Sequence, residues 1–114
     1  MFKTTLSLIS ASAVLAIAGL SPALAAVDAD AAKALFKENE CTKCHAPDKT
    51  KKGPSLKKIA EKYKGKAEGQ QKLITNFTTQ PMVKLDDGTE EKHKMVDTKD
   101  DAVRKNLADW VLSH

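Results

Sequence analysis

The stretch Cys41-Thr42-Lys43-Cys44-His45 decides how the rest of this sequence is read. Two cysteines three residues apart, with a histidine directly after the second, form the C-x-x-C-H pattern of covalent c-type haem attachment. The spacing has a chemical reason. Residues three apart on a helical turn point the same way, so both thiols can meet the two vinyl groups on one side of a porphyrin. The adjacent His45 can then place an imidazole nitrogen under the iron. Cys41 and Cys44 are the only 2 cysteines of the chain, which weighs against other uses of the pair. A zinc site would have to recruit His93 or His114 as further ligands. A thioredoxin-like dithiol belongs in a βαβ setting, and a disulfide across so small a loop stabilises little.

Upstream of the motif, the chain opens with Met1-Phe2-Lys3, runs apolar from Leu6 to Leu20 and reaches Ser21-Pro22-Ala23-Leu24-Ala25. A positive start, a short apolar core and an A-x-A end read as a secretory signal cleaved after Ala25. Ser7, Ser10, Ser12 and Gly19 interrupt the apolar run. It falls short of the ~20 strongly apolar residues of a membrane span, so no stable membrane anchor is expected. The chain then divides into a signal peptide over 1–25 and one domain over 26–114, exported to the periplasm in a Gram-negative source. A domain this small buries a modest share of its surface and usually needs a staple; the haem can be that staple.

The patterning is all-α. Asp28 or Asp30 can cap a first helix whose Ala32, Leu35 and Phe36 fall at helical spacing and which runs into Cys41. Pro47, Asp48, Gly53 and Pro54 mark a loop, followed by a second helix over Ser55 to Lys64 that Gly65 stops. Leu73, Ile74 and Phe77 suggest a third helix over Ala67 to Thr78, weakened by Gly69 and ended before Pro81. Residues 79–97 are polar, with Asp87-Gly88 as a turn signal and no clear period, and read as a long ordered loop. Thr98 with Asp101 forms an acidic version of a capping box before a last helix bearing Val103, Leu107, Trp110 and Val111 on one face. The first helix, with Leu35 and Phe36, is the natural partner of that face.

The chain carries 19 basic and 15 acidic residues, a formal net charge of +4. Loss of Lys3 with the signal and the two carboxylates of a haem bring the total close to neutral, which gives no reason to expect a nucleic-acid partner. The distribution says more. Lys43, Lys49, Lys51, Lys52, Lys57, Lys58, Lys62, Lys64 and Lys66 face only Asp48 and Glu61, whereas acidic residues outnumber lysines from Asp86 to Asp101. A basic and an acidic side are expected. The lysine run serves either as a solvated helix face or as a docking surface for an acidic redox partner, since complementary charge speeds encounter.

The second axial position of the iron separates an electron carrier from an open site. Met95, in the loop before the last helix, is the first choice, and methionine ligation raises the reduction potential. Met82 and His93 in the same loop are the alternatives.

The order of Leu35-Phe36, Cys41 to His45, Gly53-Pro54, Met95 and Leu107-Ala108-Asp109-Trp110-Val111-Leu112-Ser113 resembles the small bacterial class I cytochromes c over nearly the whole of residues 26–114. The resemblance implies a compact all-α fold around one covalently attached haem. Its first and last helices cross with Phe36 and Trp110 in contact, Pro54 offers its carbonyl to the other nitrogen of His45, and Tyr63 packs near the haem. The sequence departs from the pattern at two points. The ligand methionine is usually followed by proline there, whereas Met95 is followed by Val96, and the tryptophan that often precedes it is absent. The function implied is one-electron transfer between redox partner proteins without enzymatic turnover. The rival readings are a relay subunit within a larger complex and a five-coordinate haem protein that binds gas or reacts with peroxide.

Overall fold

In the computed structural model, which describes residues 26–114, most helices begin where an oxygen side chain can take up a free backbone N–H. The signal-peptide reading of residues 1–25 lies outside the described residues. Asp28 caps α1 (Ala29–Glu38) by accepting from the Ala31 N–H. Ser55, itself buried, caps α2 (Leu56–Tyr63) by accepting from the Lys58 N–H, and Gly65, at φ +76°, turns the chain beyond it. The third helix, α3 (Gly69–Thr79), has no side-chain cap. Gly69 stands at its start because a Cβ there would run into the Tyr63 carbonyl oxygen.

The last helix, α4 (Asp101–Leu112), is capped by Asp100, whose carboxylate accepts from the Ala102 and Val103 N–H groups. The expected Thr98–Asp101 box is therefore displaced. Thr98 instead accepts from the Asp100 N–H at 3.2 Å and positions the residue that caps.

Residues 79–97 are not the plain loop their polarity suggests. They contain a hairpin of β1 (Met82–Lys84) and β2 (Glu90–Lys92), paired antiparallel with Met82 opposite Lys92 and Lys84 opposite Glu90. Strands of three residues are too short to show an alternation in sequence. The Asp87-Gly88 turn signal does fall at the tip. Gly88 adopts φ +86°, and the Asp87 carboxylate accepts from both the Thr89 N–H and hydroxyl.

The core is the crossing of α1 and α4, as the resemblance implies, with α2 and α3 laid against α4. Phe36 meets Trp110 edge to face at a centroid separation of 5.4 Å, a favoured aromatic geometry. At the start of α1 the Asp28 N–H donates to the Asn106 side-chain oxygen at 2.8 Å, while the Asn106 amide donates back to the Asp28 carbonyl at 2.9 Å. The Gln70 amide donates to Asp109 at 2.8 Å and ties α3 to the same helix.

Trp110→Ala should remove the larger half of the aromatic contact and cost about 3–5 kcal/mol in denaturant unfolding of the haem-loaded protein. A cost below about 1 kcal/mol would mean that the crossing is held elsewhere.

Candidate functional site

The site starts where α1 stops. Glu40 takes a left-handed conformation, φ 60°, which turns the chain out of α1 and into a 3-10 turn over Cys41–Lys43. The N–H groups of Cys44 and His45 both donate to the Cys41 carbonyl, at 3.2 and 3.0 Å. Both thiols and the imidazole are thus carried on one turn, and all three line a single cavity of about 460 Å³. Its walls are Phe36 from α1, Leu56 and Ile59 from α2, Leu73 and Phe77 from α3, Leu107 and Val111 from α4, and Val83 and Leu85 from the hairpin. Tyr63 lines it too, as the resemblance implies.

Such walls suit a large flat apolar ligand and exclude water. Burial pushes the Cys41 thiol up to about 11, so it is neutral at physiological pH. Both cysteines are free thiols, each able to add its S–H across a vinyl double bond with no net oxidation.

The imidazole of His45 is held from two sides. Its Nδ1 lies 2.6 Å from the Pro54 carbonyl oxygen, which can only accept, so Nδ1 carries the proton and Nε2 keeps its lone pair. Burial lowers the affinity of this ring for a second proton; the Pro54 hydrogen bond opposes the shift and the neighbouring His93 adds to it. A neutral imidazole with one nitrogen donating to a carbonyl and the other free is the form that ligates a metal. On the other side, a Cβ on Gly53 would sit 2.9 Å from His45 Cε1. Only glycine lets the loop close this tightly on the ring.

That loop is folded back onto the attachment turn. The Gly53 N–H donates to the Cys44 carbonyl at 2.9 Å, the Lys51 ammonium to the Thr42 carbonyl at 2.6 Å, and His45 forms an isolated β-bridge with Thr50.

The structure brings Cys41, Cys44, His45 and Pro54 together around one cavity. It does not bring Met95 to them. Met95 is 43% exposed, Met82 is 60% exposed, and neither lines the cavity. The reason lies next door: Val96 is buried and its N–H donates to the Phe77 carbonyl at 2.8 Å, which leaves its neighbour facing outward. His93, by contrast, does line the cavity.

Sequence reasoning gave no role to Asn39 or Glu40. The Asp97 N–H donates to the Asn39 side chain at 3.3 Å, and Lys94 pairs with Glu40 at 3.1 Å, so both residues tie the segment after the hairpin to the attachment turn. Nothing local in the sequence marks these long-range contacts.

Four helices around an apolar cavity, with two thiols and an oriented imidazole on one wall, define a protein built to hold a covalent haem. The chain matches the Cytochrome c family over residues 29–114, and it belongs to that family. Among solved structures it is similar to the class 1 cytochrome MtoD of Sideroxydans lithotrophicus ES-1, at 54% identity and a TM-score of 0.73, over 77% of this chain and 97% of that one. It is also similar to wild-type cytochrome c552 of Nitrosomonas europaea, at 30% identity and a TM-score of 0.57, over 71% of this chain and 96% of that one. No curated protein sequence matches at a significant level. The protein is accordingly a class I cytochrome c, an electron carrier with one covalently bound haem c that exchanges electrons with redox partners.

Gly53→Ala forces either the loop or the His45 ring to move. It should cost about 1–3 kcal/mol of stability, the usual range for overpacking, and raise the high-spin fraction in the oxidised absorption spectrum. An unchanged spectrum would show that the loop yields and the ring does not.

Proposed function

We propose that this protein is an exported, periplasmic shuttle that carries single electrons between partner proteins, with no substrate turnover of its own. In this reading Cys41 and Cys44 would hold the haem through two thioethers, His45 would bind its iron, and Pro54 fixes the orientation and tautomer of the His45 ring. The observation that carries the reading is the convergence of both thiols and the His45 imidazole on one apolar cavity.

The bound haem supplies a one-electron iron couple. The chain's own residues do the rest. The apolar walls keep water from the couple, so little solvent must rearrange when charge moves. Cys41 and Cys44 would tether the group covalently, and the Pro54 hydrogen bond would keep the His45 ring in one orientation while the charge of the couple changes.

The cavity mouth is basic. Lys58 and Lys62 from α2, Lys84 and Lys92 from the hairpin, and Lys94 border it, with Glu91 as the acidic member. A partner that docks on this face would present carboxylates, and the attraction would act on encounter rate. No helix among the described residues is long and apolar enough to cross a membrane, which suits a carrier that diffuses between partners.

Voltammetry of the haem-loaded protein should give one reversible one-electron wave, and the reduced form should bind carbon monoxide slowly or not at all. Rapid carbon monoxide binding and peroxide turnover would replace this reading with an open-site haem protein. Reduction by anionic ascorbate should slow as ionic strength rises, whereas reduction by cationic hexaammineruthenium(II) should quicken. A Lys62→Glu, Lys92→Glu double replacement should lower the ascorbate rate about tenfold at low salt; equal rates would remove the lysine face from the mechanism.

A further inference from the structure

We infer that His93, rather than a methionine, supplies the second axial ligand, so that the haem iron is held between two histidines. The inference rests on the reading that Cys41, Cys44 and His45 hold the haem, and it concerns the opposite wall of the same cavity.

The first observation is distance. The imidazole rings of His45 and His93 face into one cavity with centroids 6.2 Å apart and planes inclined at 40°. A metal–imidazole bond of about 2 Å on each side, plus the radii of two rings, gives a centroid separation of roughly 6 Å across a single metal atom. The space between the rings therefore fits one iron.

The second is independent of distance. The Nδ1 of His93 lies 2.7 Å from the Lys94 carbonyl oxygen, which can only accept. His93 thus carries its proton on Nδ1 and leaves Nε2 free, the same arrangement that His45 makes with Pro54. Metal-ligating histidines characteristically donate the non-ligating ring N–H to a carbonyl or carboxylate. Both rings already do so.

The third is support. His93 directly follows β2, and its N–H donates to the Pro81 carbonyl at 2.9 Å, so its backbone extends the hairpin ladder beyond Lys92. On its other side the segment is pinned by the Lys94–Glu40 pair, the Val96–Phe77 backbone bond and the Asp97–Asn39 bond. A side chain placed on a braced backbone keeps its geometry. To reach the iron, Met95 would have to turn inward from its exposed position against the buried Val96 beside it.

The chemical consequence is a lower reduction potential than a histidine–methionine haem in the same fold, since methionine ligation raises the potential. Such a carrier would take electrons from a stronger reductant than a methionine-ligated relative needs.

The test is spectroscopic, on the haem-loaded full domain. The oxidised wild type should be low-spin and lack the weak far-red band of sulfur-ligated ferric haem, and Met95→Ala should leave spectrum and potential unchanged. His93→Ala should become high-spin and return to low-spin on addition of free imidazole, while His93→Met should gain the far-red band and a raised potential. A far-red band in the wild type that disappears in Met95→Ala or Met82→Ala would overturn the assignment. Failure of the underlying reading is separable: haem that leaves the denatured polypeptide would show that the thioethers do not form, whichever residue completes the iron.

Discussion

The hydrogen bond from His45 Nδ1 to the Pro54 carbonyl is the constraint on which the rest of the structure depends. An imidazole taken into an apolar cavity must have its N–H satisfied, because an unpaired polar group there costs on the order of 1–3 kcal/mol. Meeting that need requires the chain to return to its own attachment turn nine residues later, with Gly53 passing so close to the ring that no side chain fits. Once it has returned, the next element is already placed. The Leu56 N–H donates to the Ala46 carbonyl and Ser55 caps α2, so the helix that forms one wall of the cavity starts from the loop that orients the His45 ring. The orientation of the His45 ring and the placement of α2 are one requirement.

The other end of the attachment turn is fixed by packing. Phe36 of α1 lies against Trp110 of α4, and both helices contribute to the cavity walls. Because Cys41 follows α1 after only Asn39 and Glu40, the angle at which α1 crosses α4 sets where the first thiol stands. The left-handed Glu40 absorbs the change of direction, at a cost that a glycine would not bear. Its carboxylate holds Lys43 on one side and Lys94 on the other, and the hydrogen bonds from these two ammonium groups, with their charge, keep it below the usual range for a glutamate. The strained residue is thus also the one that joins the attachment turn to the segment carrying His93.

What could be read from sequence followed the range of the interaction. The C-x-x-C-H pattern and the helical periods of α1, α2 and α4 are local and survive into the structure with small shifts at their ends. The hairpin was hidden because its strands are three residues long, although Asp87-Gly88 marked its turn. The Thr98 box was misplaced by two residues because Thr98 and Asp100 both satisfy the composition of a cap, and only the bonds to Ala102 and Val103 distinguish them. The distal side of the haem was least legible. Residues 93–97 have no helix or strand period, so nothing in their order says which of His93 and Met95 faces inward. That is decided by Val96, whose burial and bond to Phe77 depend on α3, many residues away.

The same separation explains the charge around the cavity. The segment from Asp86 to Asp101 is acidic by composition, yet it lends Lys92 and Lys94 to the mouth. Several of its acids are engaged in local structure: Asp87 holds the hairpin tip, Asp100 caps α4, and Asp101 stands in the first turn of α4, where the helix dipole favours negative charge and Lys105 lies 3.1 Å away. Acidic residues that shape turns and helix starts are held where the backbone needs them. The lysines have no such duty at those termini, and they can gather where the cavity opens, giving the protein a locally positive face there.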